Sequence, residues 1–139
     1  MKKPDAVKGY QCTIGEFYDY WFELLKPIHK LTKSQYKVAS ELLKERYRLS
    51  KVVTDQNLLD TLSTSLDTRH KVKEQLGLSN SHFQVIWGVL KKRGIIINDK
   101  INPQYIPEVK GDCFLMAYLF KIVDESADRE HVQTDSTEA

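Results

Sequence analysis

The first helix is predicted from the spacing of apolar residues and from a start signal. Thr13 and Glu16 form a Thr-x-x-Glu capping box, in which the two side chains satisfy backbone amide donors at a helix start. Large apolar residues follow at helical spacing, namely Phe17, Trp21, Leu24 and Leu25. Pro27 lacks the amide hydrogen that a helix uses, so we expect this helix to cover residues 13–26.

Two further amphipathic helices are predicted before residue 63. Thr32 and Gln35 repeat the capping-box spacing, and apolar residues then recur on one face to about Arg48. The Thr54-Asp55 pair resembles another helix N-cap. The short helix that follows contains the apolar residues Leu58, Leu59 and Leu62.

The region from 67 to 92 predicts a helix, a tight turn and a second helix. Asp67 or Thr68 is expected to cap the first of these helices. Gly77 follows where a left-handed residue ends a helix, because glycine adopts positive φ without steric penalty. Ser79 caps the next helix, predicted at 79–92, whose buried stripe is Phe83, Ile86, Trp87 and Leu90.

A β-hairpin is predicted at residues 95–107. Three consecutive isoleucines, at 95–97, precede the polar tip 98–100, and a second apolar segment begins at Ile101. This order is typical of two antiparallel strands joined by a short turn.

An apolar run, Cys113 to Val123, follows the hairpin. Helix formers and strand formers are mixed in it, so periodicity alone does not decide between the two. We favour a buried strand at residues 112–123, because the hairpin offers an edge to pair with. A run this apolar can also close a dimer interface.

Composition indicates one globular domain. The chain has 139 residues, of which 41% are hydrophobic and 10% aromatic, and this length suits one domain better than two. We expect an N-terminal arm (1–12), a folded domain (13–123) with its core at 32–107, and an acidic, disordered tail (124–139).

The sequence predicts a protein of the cytoplasm that does not enter a membrane. No apolar stretch reaches the roughly 18 residues that span a bilayer, and no apolar run follows the N-terminal lysines. Cys12 and Cys113 are far apart and match no metal or redox spacing, so we interpret them as free thiols in a reducing compartment.

Charge is unevenly distributed along the chain. The net charge of +2 is the sum of −5 on residues 124–139 and +7 on residues 1–123. Between Thr68 and Asn98 the sequence has six basic residues and only one acidic residue, Glu74. A basic region of this kind attracts polyanions, although solvated lysine-rich helix faces are also common in proteins that bind none.

The segment from His70 to Ile96 resembles the winged helix-turn-helix superfamily. The matching features, in order, are a helix that ends in Leu76-Gly77, an apolar turn residue before Ser79, the apolar stripe of the next helix, and a Lys-Lys-x-Gly-Ile exit into the hairpin, or wing. The resemblance covers residues 32–107. More faintly, the chain is similar to small winged-helix proteins of tailed bacteriophages, which implies a bacterial or phage-infected host cell.

The resemblance implies double-stranded DNA as the partner, with the helix 79–92 in the major groove and the wing 95–107 beside it. The residues expected to read bases are Asn80, Ser81, Gln84 and Val85. The residues expected to contact phosphates are Arg69, His70, Lys71, Lys73, Ser79, His82, Lys91, Lys92, Arg93 and Lys100.

The predicted function is sequence-specific DNA binding in transcription regulation, by a homodimer that pairs through the N-terminal helix or the run 113–123. The alternative is a winged-helix module that binds protein, as a phage assembly or replication accessory factor. We expect neither an enzyme nor a cofactor or metal, because the four histidines lack partners at ligand spacing and no nucleophile or phosphate-loop motif occurs.

Overall fold

Helices make up most of the fold, and one small β-hairpin follows them. The computed structural model describes residues 9–109 and 111–125. The elements in chain order are α1 (Ile14–Leu24), α2 (Lys26–His29), α3 (Lys33–Ser50), α4 (Gln56–Ser63), α5 (Leu66–Gln75), α6 (Asn80–Lys92), β1 (Ile96–Ile97), β2 (Lys100–Ile101) and a 3-10 helix at Pro103–Tyr105. The predicted class, mostly α with a small β element, is confirmed. The chain divides into two units after Asn102.

The predicted helix starts at Thr13 and Thr32 are confirmed. The Thr13 hydroxyl oxygen accepts the Glu16 amide hydrogen at 3.2 Å, and the Glu16 carboxylate accepts the Thr13 amide hydrogen at 3.0 Å. Gln35 accepts from the Thr32 amide in the same way, at 3.0 Å. Pro27 lies in the first turn of α2, where a missing amide hydrogen costs nothing.

The core of residues 9–102 forms around α3. Helices α1, α4, α5 and α6 all pack against it. Its buried apolar residues are Tyr36, Val38, Ala39, Leu42 and Leu43. From α1 the core receives Tyr18, Trp21 and Phe22, and from α6 it receives Phe83, Ile86, Trp87 and Leu90. These three aromatic residues of α1 are therefore used in packing within the chain.

Two adjacent charged residues of α3 are buried, and each binds a different helix. The Arg46 guanidinium donates to Asp60 of α4 at 2.7 Å, and the buried Glu45 accepts from Gln75 of α5 at 3.3 Å. The Arg48 guanidinium, on the same helix, also lies 2.6 Å from the Glu45 carboxylate. Because an unpaired buried charge costs several kcal/mol, about 3–5, these bonds fix α4 and α5 relative to α3.

The prediction that Asp67 or Thr68 caps α5 is wrong, because Ser65 is the cap. The Ser65 hydroxyl oxygen accepts the Thr68 amide hydrogen at 3.3 Å. The Thr68 hydroxyl instead donates to the Leu62 carbonyl at 2.7 Å, which leaves Asp67 in the first helical turn. A carboxylate is favourable there because helix N-termini carry partial positive charge.

The turn between α5 and α6 forms as predicted. Gly77 has φ of 65°, in the left-handed region, and the Leu78 amide donates to the Lys73 carbonyl at 3.0 Å. Ser79 caps α6 by accepting the His82 amide hydrogen at 3.1 Å.

The hairpin is shorter than the predicted 95–107. Ile96 pairs with Ile101 and Ile97 with Lys100, and the turn residues Asn98 and Asp99 have φ of 53° and 59°. Asn102 adds one more backbone bond, to the Ile95 carbonyl at 2.8 Å. Pairing stops there because the next residue, a proline, has no amide hydrogen to donate.

The predicted buried strand at 112–123 is wrong. Cys113 forms an isolated bridge, and residues 114–124 belong to neither helix nor strand. The apolar side chains are mostly exposed, with Leu119 at 95% and Ile122 at 88%. Apolar composition predicted burial, but no surface of the described residues 103–109 and 111–125 covers this run. Residues 1–8 of the predicted arm and 126–139 of the predicted tail lie outside the described residues.

His29 is a buried neutral side chain that joins α1, α2 and the start of α3. Its Nε2 lies 2.6 Å from the Phe22 carbonyl oxygen, and the Leu31 amide donates to its Nδ1 at 2.9 Å. A carbonyl only accepts and an amide hydrogen is only donated, so the proton must be on Nε2. Burial lowers the pKa of His29.

Stability should therefore decrease in mildly acidic solution. The unfolded chain, with a histidine pKa near 6.5, binds a proton at a higher pH than the folded chain does. The free energy of unfolding is thus highest above this pH and falls below it. We expect urea denaturation to show the fall between about pH 7.5 and about pH 5.5. His29→Gln should flatten this dependence, whereas His82→Gln, at an exposed position, should not; an equally steep fall in His29→Gln would refute the assignment.

Candidate nucleic-acid interface

Helix α6 has one buried and one exposed face. The buried stripe of four apolar residues packs into the core, and the rings of Phe83 and Trp87 stack with centroids 5.9 Å apart. All four predicted base-reading residues are on the exposed face: Asn80, Ser81, Gln84 and Val85. Val85 is 65% exposed although it is apolar. These side chains have no part in the core, and all four are exposed to solvent.

The exposed face of α6 continues to the C-terminal end of the helix. We call the set Asn80, Ser81, Gln84, Val85, Gly88, Lys91 and Lys92 the α6 surface; each of these residues is exposed. His82 is also exposed, at the edge of this set, whereas the Ser79 hydroxyl is used by the cap. The α6 surface is uncharged over its first three turns and basic in its last.

A groove of about 320 Å³ separates α5 from the N-terminal half of α6. It is lined by Leu66, Asp67, Arg69, His70, Lys73, Asn80, Phe83 and Gln84. Lys73 bridges the groove by donating to the Asn80 side-chain oxygen. His70 lies 3.1 Å from Glu74, with both side chains exposed. The groove thus brings three predicted phosphate contacts next to two predicted base contacts.

Arg69 is positioned by an aromatic ring. Its guanidinium carbon lies 4.9 Å from the centroid of the Trp87 ring, a cation–π contact worth about 0.5–2 kcal/mol. Its Nε and the Trp87 Nε1 are buried without a hydrogen-bond partner among the described residues. No carboxylate of residues 9–109 or 111–125 pairs with Arg69, so its charge is not neutralised by an ion pair there.

The hairpin is anchored to the helices through Asp99. The Thr64 hydroxyl donates to the Asp99 carbonyl at 2.6 Å, and the Lys91 ammonium lies 3.4 Å from the Asp99 carboxylate. Lys100 is exposed on β2. These contacts fix the tip of the hairpin beside the C-terminal end of α6.

The remaining predicted phosphate contacts differ in their surroundings. Lys92 and Arg93 are exposed and have no carboxylate within ion-pair distance in the described part of the chain. Lys71 instead lies 3.6 Å from the buried Glu45, so its charge is partly neutralised. We call Arg69, Lys73, Arg93 and Lys100 the flanking cations of the α6 surface; Lys71 is not among them.

Three features of this region were missed by the sequence reasoning. The Arg69–Trp87 contact and the Thr64 anchor join distant parts of the chain, and no local pattern indicates them. Gly88 is different, because a glycine in the middle of a predicted helix is visible in the sequence. Its exposed position on α6 becomes evident only from the structure.

Neither a metal-binding cluster nor a membrane-spanning helix is found in residues 9–109 and 111–125. No three His, Cys, Asp or Glu side chains come close enough together to hold an ion. No helix there has the length and apolar character needed to cross a bilayer.

The exposed side chains of this region can form hydrogen bonds and ion pairs with a ligand. Exposed amide, hydroxyl and small apolar groups form its centre, and cationic side chains lie at both ends. Asn and Gln can both donate and accept hydrogen bonds, and Arg and Lys bind phosphate. The sequence matches no protein-family model and no curated protein, and the fold matches no solved structure.

Proposed function

We propose that this protein binds double-stranded DNA by placing the α6 surface in the major groove. The observation that supports the proposal best is the division of α6 itself. One face is used in the core, while the other presents two amides, a hydroxyl and an exposed valine to solvent with cations at both ends. The major groove is about 12 Å wide and admits one helix, whose side chains then meet base edges.

The element order supports a winged helix-turn-helix fold. Helix α5, the turn at Gly77, helix α6 and the hairpin follow one another with short connections, and the hairpin tip is bound to α6 through Lys91 and Asp99. In this fold the second helix of the pair enters the groove. The wing residue Lys100 is then close to a neighbouring phosphate.

Each residue type on the surface has a role in this proposal. Gln84 and Asn80 form hydrogen bonds with adenine, Ser81 donates or accepts, and Val85 contacts a thymine methyl group. The flanking cations and the two lysines of the α6 surface bind phosphates and set the register without specifying sequence.

The process we propose is transcription regulation by a homodimer that occupies an operator. The exposed run 114–123 is the feature that favours a dimer, since contiguous apolar surface of this kind usually marks an interface. The partner we propose for this run is a second copy of the chain, because a single winged module buries modest DNA surface and two-fold pairing doubles the contacts.

Binding to a random-sequence duplex should weaken steeply with salt, because each phosphate contact releases counterions. In Lys92→Gln the slope of log affinity against log salt should be smaller by about one. Lys33→Gln, an exposed lysine on α3 outside the α6 surface, is the matched control and should keep the wild-type slope. Fluorescence anisotropy at several salt concentrations measures the slope for the wild type and for each variant. Absence of binding at low salt would exclude DNA as the partner.

Gln84→Ala should relax sequence preference without weakening non-specific binding. After selection of a preferred duplex, we expect a loss of about 1–3 kcal/mol that depends on the base pair at one position. Gln56→Ala, at an exposed position of α4, should leave the preference unchanged. An identical loss on every duplex, whatever its sequence, would contradict base reading by Gln84.

Sedimentation velocity at micromolar concentration should give a dimer of the 16.2 kDa chain. Leu119→Asp places a charge in the exposed run and should shift the protein to the monomer. Val52→Asp, also exposed but outside the run, should leave the dimer intact. A wild-type protein that sediments as a monomer would remove the dimer from the proposal.

A further inference from the structure

Gly88 lies in the middle of α6, on its exposed face. A Cβ atom built on this residue would meet no heavy atom within 4 Å, and its φ is not in the left-handed region. Neither close packing nor an unusual backbone conformation therefore requires glycine at this position. In this respect Gly88 differs from Gly77, which has φ of 65°.

Glycine inside a helix lowers stability relative to alanine, because glycine gains more backbone freedom on unfolding. At position 88 no contact within residues 9–102 offsets this loss of stability, since the space around the missing Cβ is open. A glycine at such a position is useful where another surface comes very close to the helix backbone.

The neighbours of Gly88 on the helix surface indicate what that surface is. Gln84 and Val85 lie one turn before it, and Lys91 and Lys92 lie one turn after it. Gly88 is therefore between the residues proposed to read bases and the residues proposed to bind phosphates. In a duplex, the deoxyribose wall of the groove lies between the base edges and the phosphates.

We propose that Gly88 is the point where the deoxyribose wall of the major groove packs directly against the backbone of α6. This inference rests on the proposed DNA binding and specifies how deeply the helix enters. A helix with side chains is about 10–12 Å across and the groove about 12 Å wide, so there is little spare room. A side chain at position 88 moves α6 outward and lengthens every base and phosphate contact.

The test separates stability from binding in Gly88→Ala and Gly88→Leu. Urea denaturation should show Gly88→Ala to be more stable than the wild type. Anisotropy on the full chain should show binding weaker by about tenfold or more in Gly88→Ala, and weaker still in Gly88→Leu. Because every duplex has the same sugar wall, affinity should fall on a random-sequence duplex as well as on the selected duplex, and it should fall further on the selected duplex, whose base contacts are also lengthened.

Gly15→Ala is the matched control, since it makes the same change in α1. Its added Cβ would make an ordinary contact, 3.8 Å from the Lys44 Cε, and it lies outside the α6 surface. DNA affinity should not change in this variant, and an equal loss there would overturn the assignment of Gly88. Wild-type DNA affinity in both Gly88 variants would overturn the proposed approach of the deoxyribose wall to Gly88, and it would leave the proposal of DNA binding intact. A wild type that binds neither duplex would overturn both proposals.

Discussion

The structure of residues 9–102 depends on the packing of four helices around α3. An 18-residue helix is long enough to contact α1 along most of its length, from Tyr36 to Tyr47, and still to bind α4 and α5. The adjacent buried charges of Glu45 and Arg46 make this arrangement specific, because each must find its partner on a different helix. An apolar pair at these positions would bury as much surface without fixing which helix lies where. Contacts with α3 fix the orientation of α5. The short turn after α5 then fixes the orientation of α6.

Helix α6 shows how the fold and the proposed function share one element. Its buried stripe holds it in the core so firmly that truncating Phe83 or Trp87 would cost about 3–5 kcal/mol. Its exposed face contributes little to stability: it contains a valine whose apolar side chain is exposed to water and an interior glycine that lowers helix stability. Arg69 of α5 links the core to the exposed region, because its guanidinium lies over the ring of the buried Trp87. A surface that lowers stability on a helix held this firmly is well suited to rigid recognition of a ligand.

Local sequence rules predicted the elements well where the chemistry is local. The capping boxes at Thr13 and Thr32, the left-handed Gly77 and the Ser79 cap depend on residues within one turn, and all are confirmed. The start of α5 was mispredicted because Ser65, Asp67 and Thr68 are all capping residues, and the choice among them is set by a bond from the Thr68 hydroxyl to Leu62. The run 113–123 was mispredicted because apolar composition does not reveal whether a surface exists to cover it. The stacking of Arg69 on Trp87 joins two helices, which no single-helix pattern shows.

The most direct test of the account is to map the contact surface by two-dimensional NMR of the labelled full chain titrated with a duplex. If α6 lies in the major groove as proposed, amide chemical shifts should change at 79–92, at Arg69 and Lys73 of α5, and at the hairpin tip 98–100. Amides of α1 and of the N-terminal half of α3 should be unchanged. Shifts confined to the run 114–123 or to α1, with α6 unaffected, would contradict the account and show that α6 is not the DNA-binding element.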